Sequence, residues 1–388
     1  MGNAKADSRR GNANQAAKTE RNLSIDGWRG IMAIFIAFHH MDASGTPSVF
    51  FTSYLAVEFF FILSGFLLMK KLSAMPENPA DAITVPGKIL FSKVKRFWTL
   101  NFLFILLLYF FSLFVKNGGG SAASLIEKFV SYFWETFFLQ CSGLKVSWLN
   151  APAWYLSALL LAGYFISVLF CLNRRLFLSI IAPLTILLNY AYLSRAAGCL
   201  GVTGLADSEL AFGFISEGLV RGMAGMSVGC LLFAFYSSIE KKWQKAIVST
   251  KQRGLISLLD LVNLAVMLKL MLFRKPSQMD FLVIPCFCIA IFFAVLRIGP
   301  CARITAVKAI TFLGKISMEL FLCHWFVMKV INQYLSMLSY WPKMAVFLGT
   351  AILFAAFLYY VAEPFLQKVF SSFGNYFALQ KRCDLGQA

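Results

Sequence analysis

Apolar residues occur along this chain in ten long, nearly continuous runs that are separated by short polar segments. The runs cover residues 25–42, 50–69, 97–115, 153–172, 176–194, 210–236, 254–273, 279–296, 310–331 and 344–366. A helix needs roughly 20 mostly apolar residues to cross a bilayer, whereas a membrane β-strand alternates apolar and polar positions. The pattern therefore predicts an all-α, polytopic transmembrane helix bundle of about ten spans.

The composition agrees with a membrane protein and excludes several soluble classes. Hydrophobic residues make up 59% of the chain and charged residues only 14%, whereas ordinary soluble domains are about 25% charged. This balance excludes a soluble globular enzyme, a disordered chain and a disulfide-rich secreted domain. The formal net charge of +18 would also suit a nucleic-acid-binding protein. In a chain this apolar we assign the cations to cytoplasmic loops and expect no nucleic-acid partner.

The distribution of Lys and Arg predicts the orientation of the spans. An N-terminus in the cytoplasm puts 24 of the 36 Lys and Arg residues in cytoplasmic segments and 7 in outer segments, with five inside the runs. This asymmetry follows the positive-inside rule through all ten runs. We therefore expect both termini in the cytoplasm, with residues 1–22 as a flexible polar tail, residues 23–370 as the transmembrane domain and residues 371–388 as a C-terminal tail.

The first run contains several ionisable residues, which are costly at membrane depth and are therefore functional candidates. Arg29 and His40 are eleven residues apart, so they lie on one face of a helix, roughly 16 Å apart along its axis. His39 lies about 80° away from that face, and the geometry therefore singles out His40. Asp26 can pair with Arg29 across one turn. In the alternative interpretation, Arg29 extends to the inner interface and both histidines lie among the outer headgroups.

The second and sixth runs carry further buried charges. Glu58 precedes three phenylalanines, and a carboxylate in such a helix needs a cation or a protonated state. We expect its partner to be Arg29 or a histidine of the first run. Arg221 in the sixth run is another buried cation, in a stretch of small residues that allows close helix contact. The Ser64-Gly65 pair is by itself more typical of helix packing than of a site.

The ninth run contains one more histidine and a serine on the same helix face. Ser317 and His324 are seven residues apart, which corresponds to about 10 Å along the axis and is too far for a directly bonded nucleophilic dyad. His324 is therefore either a functional residue or a donor between helices. Lys315 and Glu319 have the spacing of an ion pair on one helix.

Taken together, these residues resemble the motifs of the acyltransferase-3 family. The resemblance rests on DGWRG at residues 26–30, the ten residues between Arg29 and His40, FFFILSGF at residues 59–66, LGKIS at residues 313–317, His324, and the Glu-Pro pair at residues 363–364. It extends from about Leu23 to Phe370, so the predicted transmembrane domain is acyltransferase-3-like.

The resemblance implies both a fold and a reaction. Members of this family are integral-membrane O-acyltransferases of about ten spans, which move an acyl group, usually acetyl, from cytoplasmic acyl-CoA to a hydroxyl of a glycan. The family's basic pair is matched by Lys93 and Arg96, and its tryptophan motif by Trp154 and Ser157. Leu159 stands where that motif usually has an acidic residue, so the resemblance does not extend to a catalytic carboxylate in this span.

The resemblance also implies roles for particular residues. We expect acetyl-CoA or another acyl-CoA as the donor, and no metal. The donor phosphates would lie against Lys93, Lys95 and Arg96, and Arg29, deeper in the membrane, would contact a phosphate or the pantetheine entrance. His40 would act as a general base or as an acyl-accepting nucleophile. The remaining candidates are Glu58 and His324 at the catalytic centre, and Asp26, Ser64, Trp154, Ser317 and Arg221 as substrate contacts.

The expected acceptor is a cell-surface or lipid-linked glycan, and the expected location is a bacterial plasma (inner) membrane, with the lipid bilayer around the chain. A second class of function is a proton-coupled transporter or flippase that uses Glu58, His40, His324 and Arg221 as relay groups. Broken helices and inverted repeats would favour transport, and the sequence shows neither clearly. A transporter would not consume acyl-CoA.

Overall fold

A computed structural model describes residues 21–42, 49–76, 79–115, 122–144, 147–205, 209–245, 250–366 and 368. The predicted C-terminal tail, residues 371–388, lies outside the described residues. Of the predicted N-terminal tail, residues 1–22, only Arg21 and Asn22 lie within them.

Helices form almost all of the described chain. They are α1 (Leu23–Asp42), α2 (Ala56–Ser73), α3 (Thr84–Val115), α4 (Ala122–Phe133), α5 (Trp154–Leu172), α6 (Arg174–Ala196), α7 (Glu217–Lys245), α8 (Thr250–Met271), α9 (Val283–Leu296), α10 (Gly299–Thr305), α11 (Lys308–Lys315), α12 (Ser317–Tyr334) and α13 (Tyr340–Phe357).

Shorter elements connect or extend these helices. The 3₁₀ turns are Phe51–Leu55, Pro79–Asp81, Trp134–Phe137, Ala151–Ala153 and Gln278–Leu282. π-Helical turns occur at Phe177–Ile181 within α6 and at Leu358–Ala362 after α13. Strands β1 (Leu210–Ala211) and β2 (Ile215–Ser216) form an antiparallel hairpin in which Leu210 is opposite Ser216.

Eight helical segments of the described chain are long and apolar enough to cross a membrane, and α11 with α12 makes a ninth, bent span. The eight are Phe51–Ser73, Thr84–Val115, Ala151–Leu172, Arg174–Ala196, Glu217–Glu240, Lys251–Met271, Gln278–Leu296 and Tyr340–Leu366. α1 has 20 residues, the length of a span, but its charged residues and histidines lower its mean hydropathy. The predicted all-α membrane bundle is confirmed, and α1 accounts for the difference between ten runs and nine spans.

α3 begins earlier than its apolar run. The helix starts at Thr84 instead of residue 97, and Pro86 is tolerated because the N–H groups of a first turn have no partner within the helix. As a result, Lys93, Lys95 and Arg96 lie on a helix that continues directly into the apolar part of the span. Residues 84–96, which precede the apolar run, therefore belong to the same helix as the span.

The ninth apolar run is not one continuous helix. α11 and α12 meet at Ile316 with a bend of 69°. Lys315 and Glu319 lie on opposite sides of this bend, so the predicted ion pair, which requires one straight helix, is not supported. Lys315 is exposed, whereas Glu319 is buried.

α1 packs against α2 and against α9 to α13, and glycines let it approach some of these neighbours closely. A Cβ atom added at Gly27 would lie 1.9 Å from the Thr305 carbonyl oxygen, and one added at Gly30 would lie 2.6 Å from the Gly314 nitrogen. Gly314 in turn has the Asp26 carbonyl oxygen 1.9 Å from its hypothetical Cβ. Only glycine allows these backbone contacts with α10 and α11. Arg29 lies between the two glycines of α1, and the close packing brings it next to the start of α12.

Candidate active site

A cavity of about 350 Å³ lies between α1, α2, α3, α5 and α12. Its cationic lining residues are Arg29, Lys71, Lys93 and Arg96, and its other polar lining residues are Ser64, Ser92, Tyr155 and Ser317. The rest of the lining is apolar or aromatic, and no carboxylate belongs to the lining as the structure describes it. A cavity with low-polarity walls and several cations creates a positive potential that favours an anionic ligand.

Arg29 lies near the N-terminal end of α1, and its contacts hold it at the cavity wall. The guanidinium donates a hydrogen bond to Ser317 Oγ at 3.1 Å and lies 3.5 Å from Asp26. Ser317 Oγ donates to the Gly314 carbonyl oxygen at 2.9 Å. Asp26 also pairs with Arg21. The predicted pairing of Asp26 with Arg29 is confirmed, and Asp26 therefore orients Arg29 rather than lining the cavity itself.

The cations of α3 divide between two helix faces. Lys93 and Arg96, three residues apart, line the cavity together with Phe97, whereas Lys95, which is exposed like Arg96, does not belong to the lining. The structure therefore brings together three of the four predicted donor-binding cations and leaves out Lys95. It adds Lys71, at the end of α2, which sequence reasoning used only to orient the spans.

His40 and His324 meet at the other end of α1. His40 Nδ1 and His324 Nε2 are 3.1 Å apart, and the ring centroids are separated by 5.0 Å. His324 is completely buried. The sequence identified both residues as candidates but did not predict their contact, because 284 positions separate them in the chain.

Backbone contacts assign the tautomers of these two rings. His324 Nδ1 lies 3.1 Å from the Leu320 carbonyl oxygen, and His40 Nδ1 lies 3.0 Å from that of Ile36. A carbonyl oxygen only accepts, so both Nδ1 atoms carry the proton in the neutral rings. His324 Nε2 then accepts from His40 Nδ1–H, which leaves a free lone pair on His40 Nε2.

His39 has a different environment from His40. Its Nδ1 lies 2.6 Å from the Phe51 carbonyl oxygen. Its ring packs against Phe51 and Tyr54, with centroid distances of 6.0 and 5.4 Å. It therefore attaches α1 to the 3₁₀ turn before α2, and the helix-face argument that separated the two histidines agrees with the structure.

Glu58 and Arg221 form a buried ion pair of their own, 2.9 Å apart, with side chains 0% and 1% exposed. Tyr190 donates a hydrogen bond to Glu58. Arg221 donates to the carbonyl oxygens of Val202 and Tyr54 at 3.4 and 3.3 Å. The prediction that Glu58 pairs with Arg29 or a histidine of α1 is therefore wrong, because Arg221 of α7 neutralises it.

The other candidate residues of α2 and α5 lie at different places. Ser64 lines the cavity, as does Leu159, the apolar residue of the tryptophan motif. The Trp154 ring lies 5.7 Å from the Arg221 guanidinium, and Ser157 Oγ accepts from the Cys141 backbone at 2.9 Å. The structure does not bring Glu58, Trp154 or Arg221 to the cavity wall.

The cavity and the histidine pair share two helices. α1 and α12 touch through Arg29 and Ser317 at one end and through His40 and His324 at the other. Phe321 lines the cavity and packs against His324, with ring centroids 5.9 Å apart. The cationic cavity and the imidazoles are therefore adjacent parts of one arrangement.

Comparison with known proteins identifies the family. Residues 22–361 match the acyltransferase-3 family, which is described as an acyltransferase domain, so the chain belongs to this family. Together with its spans, this makes it a multi-pass membrane acyltransferase. Over 100 residues it is 35% identical to protein 2 in the picA locus of Rhizobium radiobacter, a match that covers 25% of this chain and 49% of the relative. The chain thus aligns with about half of that relative's length. No solved structure matches it.

The transporter alternative is not supported. The bent ninth span is a broken helix of the kind that would favour transport. Two of the proposed relay groups, Glu58 and Arg221, are however neutralised by each other. The family that covers most of the chain consists of acyltransferases.

Proposed function

We propose that this protein transfers an acyl group, acetyl in the first instance, from cytoplasmic acyl-CoA to a hydroxyl of a cell-surface or lipid-linked glycan. The observation that carries the proposal is the cavity with four lining cations and no described lining carboxylate. Lys71, Lys93 and Arg96 belong to segments predicted to be cytoplasmic, so the donor enters from that side. We place the protein in the plasma membrane of a bacterium.

The residues of the cavity fit such a donor. Its phosphates suit charge-assisted hydrogen bonds from Lys71, Lys93 and Arg96. A guanidinium has five N–H donors, so Arg29 keeps donors for the ligand beside its bonds to Ser317 and Asp26. A volume of about 350 Å³ is typical of sites for small ligands, which span roughly 300–1,000 Å³. The apolar walls suit the pantetheine arm, while the nucleotide stays near the cytoplasmic rim.

His40 supplies the reactive nitrogen in this proposal. The lone pair on Nε2 takes the proton of the acceptor hydroxyl while its oxygen attacks the thioester carbonyl carbon, and the thiolate leaves with a proton returned from the imidazolium. His324 Nε2 accepts a hydrogen bond from His40 Nδ1–H, and this bond stabilises the positively charged His40 ring. The same lone pair also suits direct attack on the thioester, which breaks the C–S bond, expels the CoA thiolate and gives an acyl-imidazole; the hydroxyl then takes the acyl group, its oxygen replacing the imidazole nitrogen, and its proton neutralises the thiolate. Both routes use the same tautomer.

Acetyl-CoA binding by the purified full-length protein in detergent tests the donor site. Titration calorimetry of Lys93→Ala and Arg96→Ala is expected to show affinities about tenfold lower than wild type, or about 1.4 kcal/mol each. Lys88→Ala is the matched control, because Lys88 is an exposed cation on α3 outside the cavity lining. Equal weakening by all three variants would indicate general electrostatic attraction and would contradict a defined site.

Turnover of acetyl-CoA tests the catalytic assignment. His40→Gln is expected to abolish acyl transfer while donor binding persists, and His39→Gln is expected to retain transfer with lower stability. If the folded wild-type protein neither binds nor turns over any acyl-CoA, the proposed reaction is wrong.

A further inference from the structure

Glu135 is a buried carboxylate outside the spans and outside the cavity. It lies in the 3₁₀ turn Trp134–Phe137 after α4 and is 0% exposed. Its two carboxylate oxygens accept hydrogen bonds from the backbone N–H groups of Leu149 and Asn150, at 2.6 and 2.9 Å. Its backbone carbonyl accepts from Asn101 Nδ2 of α3 at 3.3 Å. One residue thus connects α3, the turn after α4, and the segment that precedes α5.

The segment that Glu135 holds is bonded to the residue beside His324. The Leu149 carbonyl oxygen accepts a hydrogen bond from Trp325 Nε1 at 2.9 Å. The Trp325 ring then packs edge-on against His40, with centroids 5.4 Å apart. A continuous series of contacts therefore runs from Glu135 through Leu149 and Trp325 to the His40 ring.

Burial of a carboxylate is costly, and an apolar residue would fill the same space at lower cost. The two described bonds to Leu149 and Asn150 satisfy Glu135 only if the backbone of this segment stays in its present conformation. Consistently, burial raises the pKa of Glu135 to about 7, although hydrogen bonds from Leu149, Asn150 and the Gln140 side chain act in the opposite direction. The carboxylate thus fixes the segment at an energetic cost. The fixed segment in turn holds the Trp325 indole through the Leu149 carbonyl oxygen.

We infer that Glu135 is a positioning residue for acyl transfer: it holds the backbone at Leu149 and Asn150 so that Trp325 keeps the His40 ring in its reactive orientation. The inference rests on the proposed function, in which His40 Nε2 is the reactive atom. Trp325 restricts the rotation of the imidazole, and the bond to Leu149 restricts the rotation of Trp325. A small displacement of a reacting group is sufficient to slow catalysis strongly.

Glu135→Gln tests the inference at its origin. One amide oxygen can still accept from one N–H, but the amide nitrogen faces the other N–H and repels it. The matched control is Glu127→Gln, because Glu127 is an exposed glutamate on α4 in the same part of the chain. Trp325→Phe tests the other end, since it keeps an aromatic ring and removes the N–H that Leu149 accepts. The double variant combines Glu135→Gln with Trp325→Phe.

Three readouts in the purified full-length protein separate positioning from general stability. We expect Glu135→Gln to lower kcat for acetyl-CoA turnover about ten- to a hundredfold, with the dissociation constant of acetyl-CoA unchanged and with Glu127→Gln at wild-type values. The double variant is expected to be no slower than the slower single variant, because both changes interrupt one series of contacts. Carbethoxylation by diethylpyrocarbonate, followed by mass spectrometry, is expected to be faster at His40 in Glu135→Gln and unchanged at His39.

Each contrary outcome has a defined meaning. A folded Glu135→Gln protein with the kcat and the His40 labelling rate of Glu127→Gln overturns the inference. Fully additive losses in the double variant also overturn it, because they place the two residues on separate paths. If wild type turns over no acyl-CoA, the proposed function fails and the catalytic role of Glu135 fails with it. In that case the His40 labelling rate still shows whether Glu135 holds this ring.

Discussion

Two arginines, Arg29 and Arg221, lie within apolar runs of this chain, and their surroundings differ in charge balance. Arg221 is 1% exposed and is matched by the Glu58 carboxylate, two backbone carbonyls and the face of Trp154. Arg29 shares Asp26 with Arg21 and lines a cavity with three further cations. The first arrangement is neutral and closed, whereas the second is positive and has room for an anion. A buried charge therefore indicates a ligand only where its partners fail to neutralise it.

The largest expected effect comes from breaking the neutral arrangement. Arg221→Met leaves the Glu58 charge buried without its cation, and such a loss typically costs about 3–5 kcal/mol. We expect a strong decrease in the yield and thermal unfolding temperature of the detergent-solubilised protein. Arg221→Met combined with Glu58→Gln removes both charges and is expected to recover part of the loss. If Arg221→Met unfolds at the wild-type temperature, the pair is not a structural element.

Glu135 provides an intermediate case, because its described partners are backbone N–H groups instead of a cation. Its pKa is raised to about 7 from an ordinary value of 4.5, so the folded state binds a proton that the unfolded state releases between these values. Stability therefore decreases as the pH rises from about 4.5 to about 7, by at most roughly 3 kcal/mol, and stays constant above. Thermal unfolding across this range is expected to show a steeper decrease for wild type than for Glu135→Gln. Parallel profiles would contradict the raised pKa.

Arg29 is expected to behave in the opposite way to Arg221. Arg29→Gln removes a cation from a site that already has an excess of them, so the unfolding temperature is expected to stay near that of wild type. The affinity for acetyl-CoA is expected to fall about thirtyfold, or about 2 kcal/mol, as for the loss of a charge-assisted bond. Titration calorimetry measures this directly. A variant that binds acetyl-CoA normally but unfolds early would show that Arg29 is structural and would remove the contrast with Arg221.

The smallest effect is expected from two neighbouring lysines of α2. Both are exposed, but only Lys71 lines the cavity. We expect Lys71→Ala to weaken acetyl-CoA binding a few-fold, or by about 1 kcal/mol at moderate salt, since an exposed charge contributes little. Lys70→Ala is expected to have no effect. Titrations of both variants at two salt concentrations measure their affinities for acetyl-CoA. Equal losses of affinity would mean that these lysines act only through general electrostatic attraction.

Features that depend on local sequence could be predicted. The apolar runs identified the spans because a bilayer imposes length and hydropathy on each helix separately. The relation between Arg29 and His40 followed from helix periodicity, and the contrast between His39 and His40 followed from the same rule. The break at Ile316 could not be read in this way, because the run has no proline there and Lys315 and Ser317 interrupt its apolar character only briefly.

Features that depend on contacts between distant segments could not be predicted. Glu58 was correctly expected to need a cation, but hydropathy does not specify which helix supplies it, and Arg221 is 163 positions away. Lys95 was assigned to the donor site and Lys71 was left out of it, because a cluster of cations in sequence does not tell which of them face a cavity. Glu135 was missed altogether. Its position at the end of an amphipathic helix contains no signal of the bonds to Leu149 and Asn150.

The apolar middle of α1 has a consequence for the membrane itself. Between Arg29 and His40 the side chains of Met32, Ala33, Ile36 and Ala37 are at most 2% exposed. This packed layer lies between a cavity on the predicted cytoplasmic side and the imidazoles on the predicted outer side. Ions and protons would have to cross it without polar partners, which is costly. In the proposed reaction this apolar layer holds back ions and protons and so preserves the transmembrane voltage, while the uncharged thioester arm of the donor has to pass beside it to reach His40.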